Sequence, residues 1–161
     1  METTEQDEER AQVDAVMRAS RVLVSVVARS IAEVEDQVTL VQFRVLVVIA
    51  GHAPLNLSEV ARHLGVHPSN ATRMVDKLVG AGLVERTDRP SDRRHLALTL
   101  SPAGHELVQR VMGFRRESIL AIMSAMPASR RRTLASALES FAVAAGEPPE
   151  GEEAFILGLA T

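Results

Sequence analysis

The residues with the clearest binding chemistry are polar side chains near the middle of the chain: Ser69, Asn70, Thr72, Arg73 and Lys77. Apolar residues recur among them at intervals of three and four, which predicts a helix whose polar residues occupy the remaining faces. Hydroxyl, amide and guanidinium groups match the hydrogen-bonding patterns that base edges and phosphates present in the grooves of DNA. The spacing therefore predicts a helix that reads a DNA groove, with Lys77 on the backbone.

A second polar cluster follows between two short apolar segments, residues 83–86 and 96–100, which predict the strands of a hairpin. Arginines at a hairpin tip are suited to entering a minor groove or holding phosphates. The tip residues that we expect to contact DNA are Arg89, Asp92, Arg93 and Arg94.

Two short helices must position these side chains. The first is predicted from Leu57, with Ser58 as its cap and Gly65 as a left-handed turn at its end. Pro68 suits the first position of the next helix, and Gly80 marks its end. Two helices joined by a tight glycine turn predict a helix-turn-helix, and the basic hairpin that follows makes it a winged one.

At this point the sequence resembles a known family. Residues 71–78 (ATRMVDKL), 82–86 (GLVER), 92–94 (DRR) and 98–104 (LTLSPAG) resemble the multiple antibiotic resistance regulator (MarR) family, and the resemblance extends over roughly residues 39–110. It implies a homodimeric transcription factor. We expect a repressor that binds double-stranded DNA at a pseudo-palindromic operator.

The resemblance also implies roles for individual residues. It implies that Arg94 enters the minor groove with Asp92 bracing it, while the other tip arginines contact phosphates. It further implies release by a small acidic or aromatic ligand bound between the DNA-binding lobe and the dimer helices. Arg21 borders the apolar stripe of the first helix, and Arg44 interrupts that of the second. They are the candidate partners for the carboxylate of such a ligand.

Arg44 also has a purely structural interpretation. Thr39 and Gln42 have the spacing of a capping box, and the helix that they open is so apolar that we expect it to be buried. A buried guanidinium without a partner is costly, so we favour an ion pair with Glu33 or Asp36 over a ligand contact.

The predicted fold is mainly α with a small β-hairpin wing, a winged helix-turn-helix joined to a helical dimerisation region. Val13, Val16 and Met17 begin an apolar stripe on a long first helix that we expect to end near Asp36. The first part of the segment that precedes this stripe, residues 1–10, is expected to be mobile because it lacks apolar anchors. Gly113, inside a later helix, predicts a close helix contact. The expected division is residues 1–36 (arm and dimerisation helix), 37–101 (DNA-binding domain), 102–146 (C-terminal dimerisation helices) and 147–161 (acidic and apolar tail).

The charge distribution supports this division. The 161 residues carry a formal net charge of −3. Residues 62–94 hold seven basic and four acidic side chains, a local balance of +3, whereas residues 1–36 hold four and nine, or −5. The positive charge lies where a DNA contact requires it.

Amino-acid composition and missing motifs exclude several classes of protein. Cysteine is absent, which excludes disulfides, and neither a signal peptide nor an apolar membrane segment is evident, so we expect a cytoplasmic protein. His63 and His67 lack further ligands at zinc spacing, and catalytic motifs are missing, so we expect no metal, no cofactor and no enzymatic activity. The alternatives are a metal-sensing winged helix and a winged-helix module that binds protein.

Overall fold

The computed structural model describes residues 2–88 and 96–146. Within them it is mostly helical with one antiparallel hairpin, which confirms the predicted fold class. The elements, in chain order, are α1 (Glu2–Ala32), α2 (Leu40–His52), α3 (Leu57–Leu64), α4 (Pro68–Gly80), β1 (Val84–Asp88), β2 (Leu96–Leu100), α5 (Pro102–Ser124) and α6 (Ala128–Ala144).

Helix α2 forms the centre of the core. Thr39 and Gln42 form the predicted capping box, in which each side chain accepts from the other residue's backbone N–H, at 3.3 and 2.8 Å. Phe43, Leu46 and Ile49 are completely buried, as expected for a helix with so few polar residues. Helices α3 and α4 and the base of the hairpin pack around this helix.

The helix-turn-helix consists of α3 and α4. Asn56, not Ser58, caps α3: its Oδ1 accepts from the Glu59 N–H at 2.9 Å, and Glu59 Oε2 accepts from the Asn56 N–H at 2.7 Å. The prediction of Ser58 was wrong because Leu57 is already helical, which places Ser58 inside the first turn. Gly65 ends α3 in the left-handed region with φ 65°, as predicted.

The hairpin continues from α4. Strand β1 begins at Val84, one residue later than predicted, and extends two residues further, to Asp88. It pairs antiparallel with β2 in the register Val84 to Leu100 through Asp88 to Leu96. The loop after α2 adds a bridge at the free edge of β2, where Leu55 and Leu98 exchange two backbone hydrogen bonds of 2.7 and 3.3 Å.

Helix α1 differs from its prediction at both ends. It begins at Glu2, where we had expected mobile residues, because the acidic N-terminal segment has no Gly or Pro and is rich in good helix formers. It ends at Ala32, four residues before Asp36, in a turn stabilised by hydrogen bonds from the backbone of Val34 and Gln37. Its C-terminal half packs on α5, where Val26 and Ser30 are buried.

A close contact joins the start of α5 to the turn before β1. Ser101 caps α5 as predicted, and its hydroxyl accepts from the Gly104 N–H at 3.0 Å and donates to the Gly82 carbonyl at 2.6 Å. Gly104 lies so close to Leu83 that a Cβ would overlap the Leu83 carbonyl oxygen. Gly113, by contrast, has no heavy atom within 4 Å of a Cβ position in the described chain, so the predicted close helix contact is not made within this single chain.

We predict that Gly104→Ala lowers the free energy of unfolding by about 1–3 kcal/mol, because an added methyl must displace backbone in a packed junction. Gly80→Ala is the matched control, since Gly80 is helical and no described residue has a heavy atom within 4 Å of its Cβ position. That control should be neutral or stabilising by about 0.5–1 kcal/mol. Denaturant unfolding of both variants tests this, and equal effects would contradict the proposed overlap.

Candidate DNA interface

Helix α4 presents two different surfaces. Ala71, Val75 and Leu78 are buried against the core and fix the rotation of the helix. The side chains that were predicted to meet DNA lie on the remaining surface, where all are exposed except the partly buried Thr72: Ser69, Asn70, Thr72, Arg73 and Lys77. The structure thus brings this predicted set together on one helix.

Asn70 and Arg73 form a pair within that surface. Arg73 Nη2 donates to Asn70 Oδ1 at 2.6 Å, across one helical turn. The amide thereby orients the guanidinium before any ligand is present. A preoriented guanidinium loses less conformational entropy on binding than a freely rotating one.

The hydroxyl groups near the start of α4 are partly committed to the helix itself. His67 caps α4, with its Nδ1 3.3 Å from the Ser69 N–H and 2.9 Å from the Ser69 hydroxyl. Thr72 Oγ1 donates to the Pro68 carbonyl at 2.9 Å. The Thr72 oxygen therefore remains available as an acceptor, while its proton is held by the backbone.

An ion pair that the sequence analysis did not predict connects α4 to the hairpin. Arg86 Nη2 lies 2.5 Å from Asp76 Oδ1. A cleft of about 560 Å³ lies beside this pair, lined among others by Ser58 and Thr72. Helical and strand periodicities predict contacts only within one element. They could not predict this contact, because the two residues are ten positions apart and lie in a helix and a strand.

The four predicted residues of the wing tip, Arg89, Asp92, Arg93 and Arg94, lie outside the described residues. Their roles remain predictions.

The two candidate ligand contacts, Arg21 and Arg44, lie on different helices. Arg21 is exposed on α1. Arg44 is partly buried, and its Nε is buried without a hydrogen-bond partner among the described residues. The predicted ion pair with Glu33 or Asp36 is absent from the described chain, because both acids lie exposed in the turn after α1.

The sequence analysis missed a more deeply buried arginine on α5. Arg115 is 9% exposed, and its Nε donates to the Ser30 hydroxyl at 2.8 Å. Its guanidinium carbon lies 5.3 Å from the centre of the Phe43 ring, a cation–π contact that links α5 to α2. Its Nη2 is buried without a partner in the described part of the chain, and burial lowers the pKa of this guanidinium.

The histidines that we considered as metal ligands have other contacts. The His63 ring stacks on His52, with ring centres 4.3 Å apart, and joins the ends of α2 and α3. Burial lowers the pKa of His63, and the nearby positive charge of Arg62 acts in the same direction. Across residues 2–88 and 96–146, no group of three or more potential ligands could hold a metal ion.

No helix in the described ranges has the length and apolar character needed to cross a membrane.

Comparison with known proteins agrees with this geometry. The sequence model of the MarR family matches residues 38–96. The crystal structure of RV1404 from Mycobacterium tuberculosis superposes with a TM-score of 0.79 at 44% identity, covering 84% of this chain and 92% of RV1404.

Two curated relatives extend the comparison. The uncharacterized HTH-type transcriptional regulator Mb0904 of Mycobacterium bovis is 28% identical over 135 residues, which cover 84% of this chain and 90% of the relative. The transcriptional repressor MdtR of Bacillus subtilis is 33% identical over 87 residues, which cover 54% and 56%. The segment that the family model matches, residues 38–96, includes the helix-turn-helix described above. The chain therefore belongs to the MarR family, whose members are DNA-binding transcriptional regulators and not enzymes.

Proposed function

We propose that this regulator is a repressor that binds a pseudo-palindromic operator as a homodimer. The observation that carries the proposal is the exposed surface of α4, where Asn70 orients Arg73 beside Lys77. A guanidinium held in one plane suits a bidentate contact to guanine in the major groove, and a lysine on the same surface suits a phosphate. Similarity to the repressor MdtR supports repression as the direction of control.

Dimerisation is supported by the apolar surface that a single chain leaves uncovered. Helix α6 buries none of its residues in the single chain, and Phe141 is 57% exposed. Helix α1 exposes large apolar residues along its length, Val24 at 66% among them, and α5 exposes Leu120 at 60%. Such an extent of exposed apolar surface is typical of an interface, and a second copy covers it with twofold symmetry.

Twofold symmetry sets the geometry of the operator. Each recognition helix α4 enters a major groove, so half-site centres should lie about 10 base pairs apart on one face of the DNA. The hairpins then reach outwards to the flanking minor grooves, where Arg94 contacts DNA with Asp92 bracing it, and Arg89 and Arg93 hold phosphates. Such a protein acts in the cytoplasm, where the chromosome of a bacterium lies.

We also propose release by a small acidic or aromatic ligand. Arg44 supports this because its buried Nε has no hydrogen-bond partner among the described residues. Arg21, exposed on α1, is the second candidate, and Arg115 becomes a third through its unpaired Nη2. The ligand must prefer a dimer in which the recognition helices are wrongly spaced, because equal affinity for both forms shifts nothing.

The DNA-reading role is tested by Arg73→Ala and Lys77→Ala in operator binding. Arg73→Ala should weaken operator binding by at least ~1 kcal/mol, about fivefold, and relax the preference at one base position. Lys77→Ala should keep the base preference and reduce the slope of log affinity against log salt by roughly 0.9. Footprinting titrations on the gene's upstream DNA at several salt concentrations measure the affinity and the salt slope. A random-sequence selection measures the base preference. A wild type that selects no sequence would refute the proposed function.

The dimer is tested by light scattering at micromolar concentration. We expect twice the chain mass, and Phe141→Glu should reduce it, because a charge at the centre of an apolar interface is costly. Glu139→Gln, a change at an exposed polar position of the same helix, is the control and should leave the mass unchanged. A folded monomer in the wild type would contradict the dimer.

The ligand response is tested with benzoate and its uncharged analogue benzamide. Benzoate should release operator DNA and benzamide should not, because only the carboxylate pairs with a guanidinium. Arg44→Ala should weaken the response to benzoate about tenfold, the order expected for a lost charged hydrogen bond. If this variant loses thermal stability but keeps the full response, Arg44 is structural and the ligand contact is wrong.

A further inference from the structure

The ion pair between Asp76 and Arg86 is of interest because of where it lies. The two side chains are 52% and 31% exposed, so solvent screens their attraction and the pair adds little to stability. It nevertheless connects the recognition helix α4 directly to β1. Since the pair adds little to stability, we consider a role in the relative position of α4 and β1.

The position of Arg86 in its strand is unusual. Side chains alternate along a strand, so Arg86 lies on the same face of the hairpin as Val84, which is buried. Across the hairpin, Leu98 and Leu100 are buried on this face as well. A charged residue interrupts the apolar series where the hairpin leaves the core, and Asp76 supplies the partner that it needs there.

The pair also acts at one particular rung of the hairpin. Arg86 is directly opposite Leu98, and the backbone of Leu98 is bonded to Leu55 on the outer edge of β2. Leu55 therefore holds this rung at the outer edge of β2, and Asp76 contacts it from the face that carries the Arg86 side chain. Only the rungs Thr87 to Ala97 and Asp88 to Leu96 follow it in the described strands.

Open space adjoins this ion pair. The cleft of about 560 Å³ lies between α4, the start of α3 and the inner face of the hairpin. Apolar packing therefore does not fill the space between the recognition helix and the outer part of the hairpin. The ion pair is a polar contact between α4 and β1 at the border of this cleft.

We propose that Asp76 is a positioning residue for DNA binding. By holding Arg86, it sets the direction of the hairpin relative to α4, so that helix and hairpin meet the operator together. An acid on a recognition helix opposes binding through repulsion of phosphates, and its pairing with Arg86 offsets that repulsion. The inference rests on the proposed function and adds a residue that no DNA-contact pattern would select.

The test is Asp76→Asn, which keeps the shape of the side chain and removes the charge. Electrostatics alone predicts tighter operator binding, whereas loss of positioning predicts weaker binding, and we expect roughly a five- to tenfold loss. The salt slope should fall by roughly 0.9 or more although no cation is removed, because a misdirected hairpin loses phosphate contacts. The melting temperature should change little, since the pair is exposed.

Glu85→Gln is the matched control. Glu85 is exposed on the other face of β1, next to Arg86, so the variant removes the same charge from the same region without touching the pair. Its operator affinity should stay equal to that of the wild type or rise. Equal affinities for Asp76→Asn and Glu85→Gln would overturn the proposal.

A double-mutant cycle with Arg86→Gln completes the test. If the two residues act as one unit, Asp76→Asn should weaken binding no further in the Arg86→Gln background. Additive losses would show that each residue acts by itself and would overturn the positioning role, as would a drop in melting temperature that accounts for the lost affinity. A wild type that binds no operator would instead refute the proposed function, so the two failures are distinguishable.

Discussion

The junction of Ser101, Gly104 and the turn at residues 82–83 is the constraint on which the DNA-binding elements depend. One buried hydroxyl bonds the carbonyl that follows α4 and the N–H that opens α5, while the Ser101 N–H donates to the Leu83 carbonyl at 3.1 Å. The absence of a side chain at Gly104 allows the two backbones to approach. The end of the recognition helix, the base of the hairpin and the start of α5 are thus fixed at one point.

From this junction the hairpin becomes less constrained along its length. At its base, Val84 and Leu100 are part of the hydrophobic core. At the rung of Arg86 and Leu98, the buried Leu98 side chain is joined by a backbone bridge from Leu55 and an ion pair from Asp76. Directional polar contacts thus add to nondirectional burial at this rung. They specify an angle at little gain in stability, which suits an element that must match a ligand's shape.

Local signals in the sequence predicted much of this structure. The capping box at Thr39, the left-handed Gly65 and the helix start at Pro68 each depend on residues within one turn, and each is confirmed. The wrong choice of Ser58 as a cap also had a local remedy, because Asn56 and Glu59 have the same capping-box spacing as Thr39 and Gln42.

Contacts between distant segments were not predictable in this way. The Arg115 guanidinium meets a hydroxyl 85 residues away, and the reason for Gly104 is a carbonyl that another element supplies. Because an unpaired buried charge is costly, the sequence predicted an acidic partner for Arg44. The predicted partners, Glu33 and Asp36, are instead exposed to solvent. The requirement for a partner follows from the sequence, whereas its identity follows only from the fold.

Helix α5 joins the base of the hairpin to helices α1 and α2. Ser101 anchors its N-terminus to the base of the hairpin, and Arg115, about 21 Å along the axis at 1.5 Å per residue, binds it to α1 and α2. A rotation of about 10° at the Arg115 end displaces the hairpin base by roughly 4 Å over such a length, since the helix moves as a rod. The position of the hairpin base is therefore linked to the packing among α1, α2 and α5 through one continuous helix.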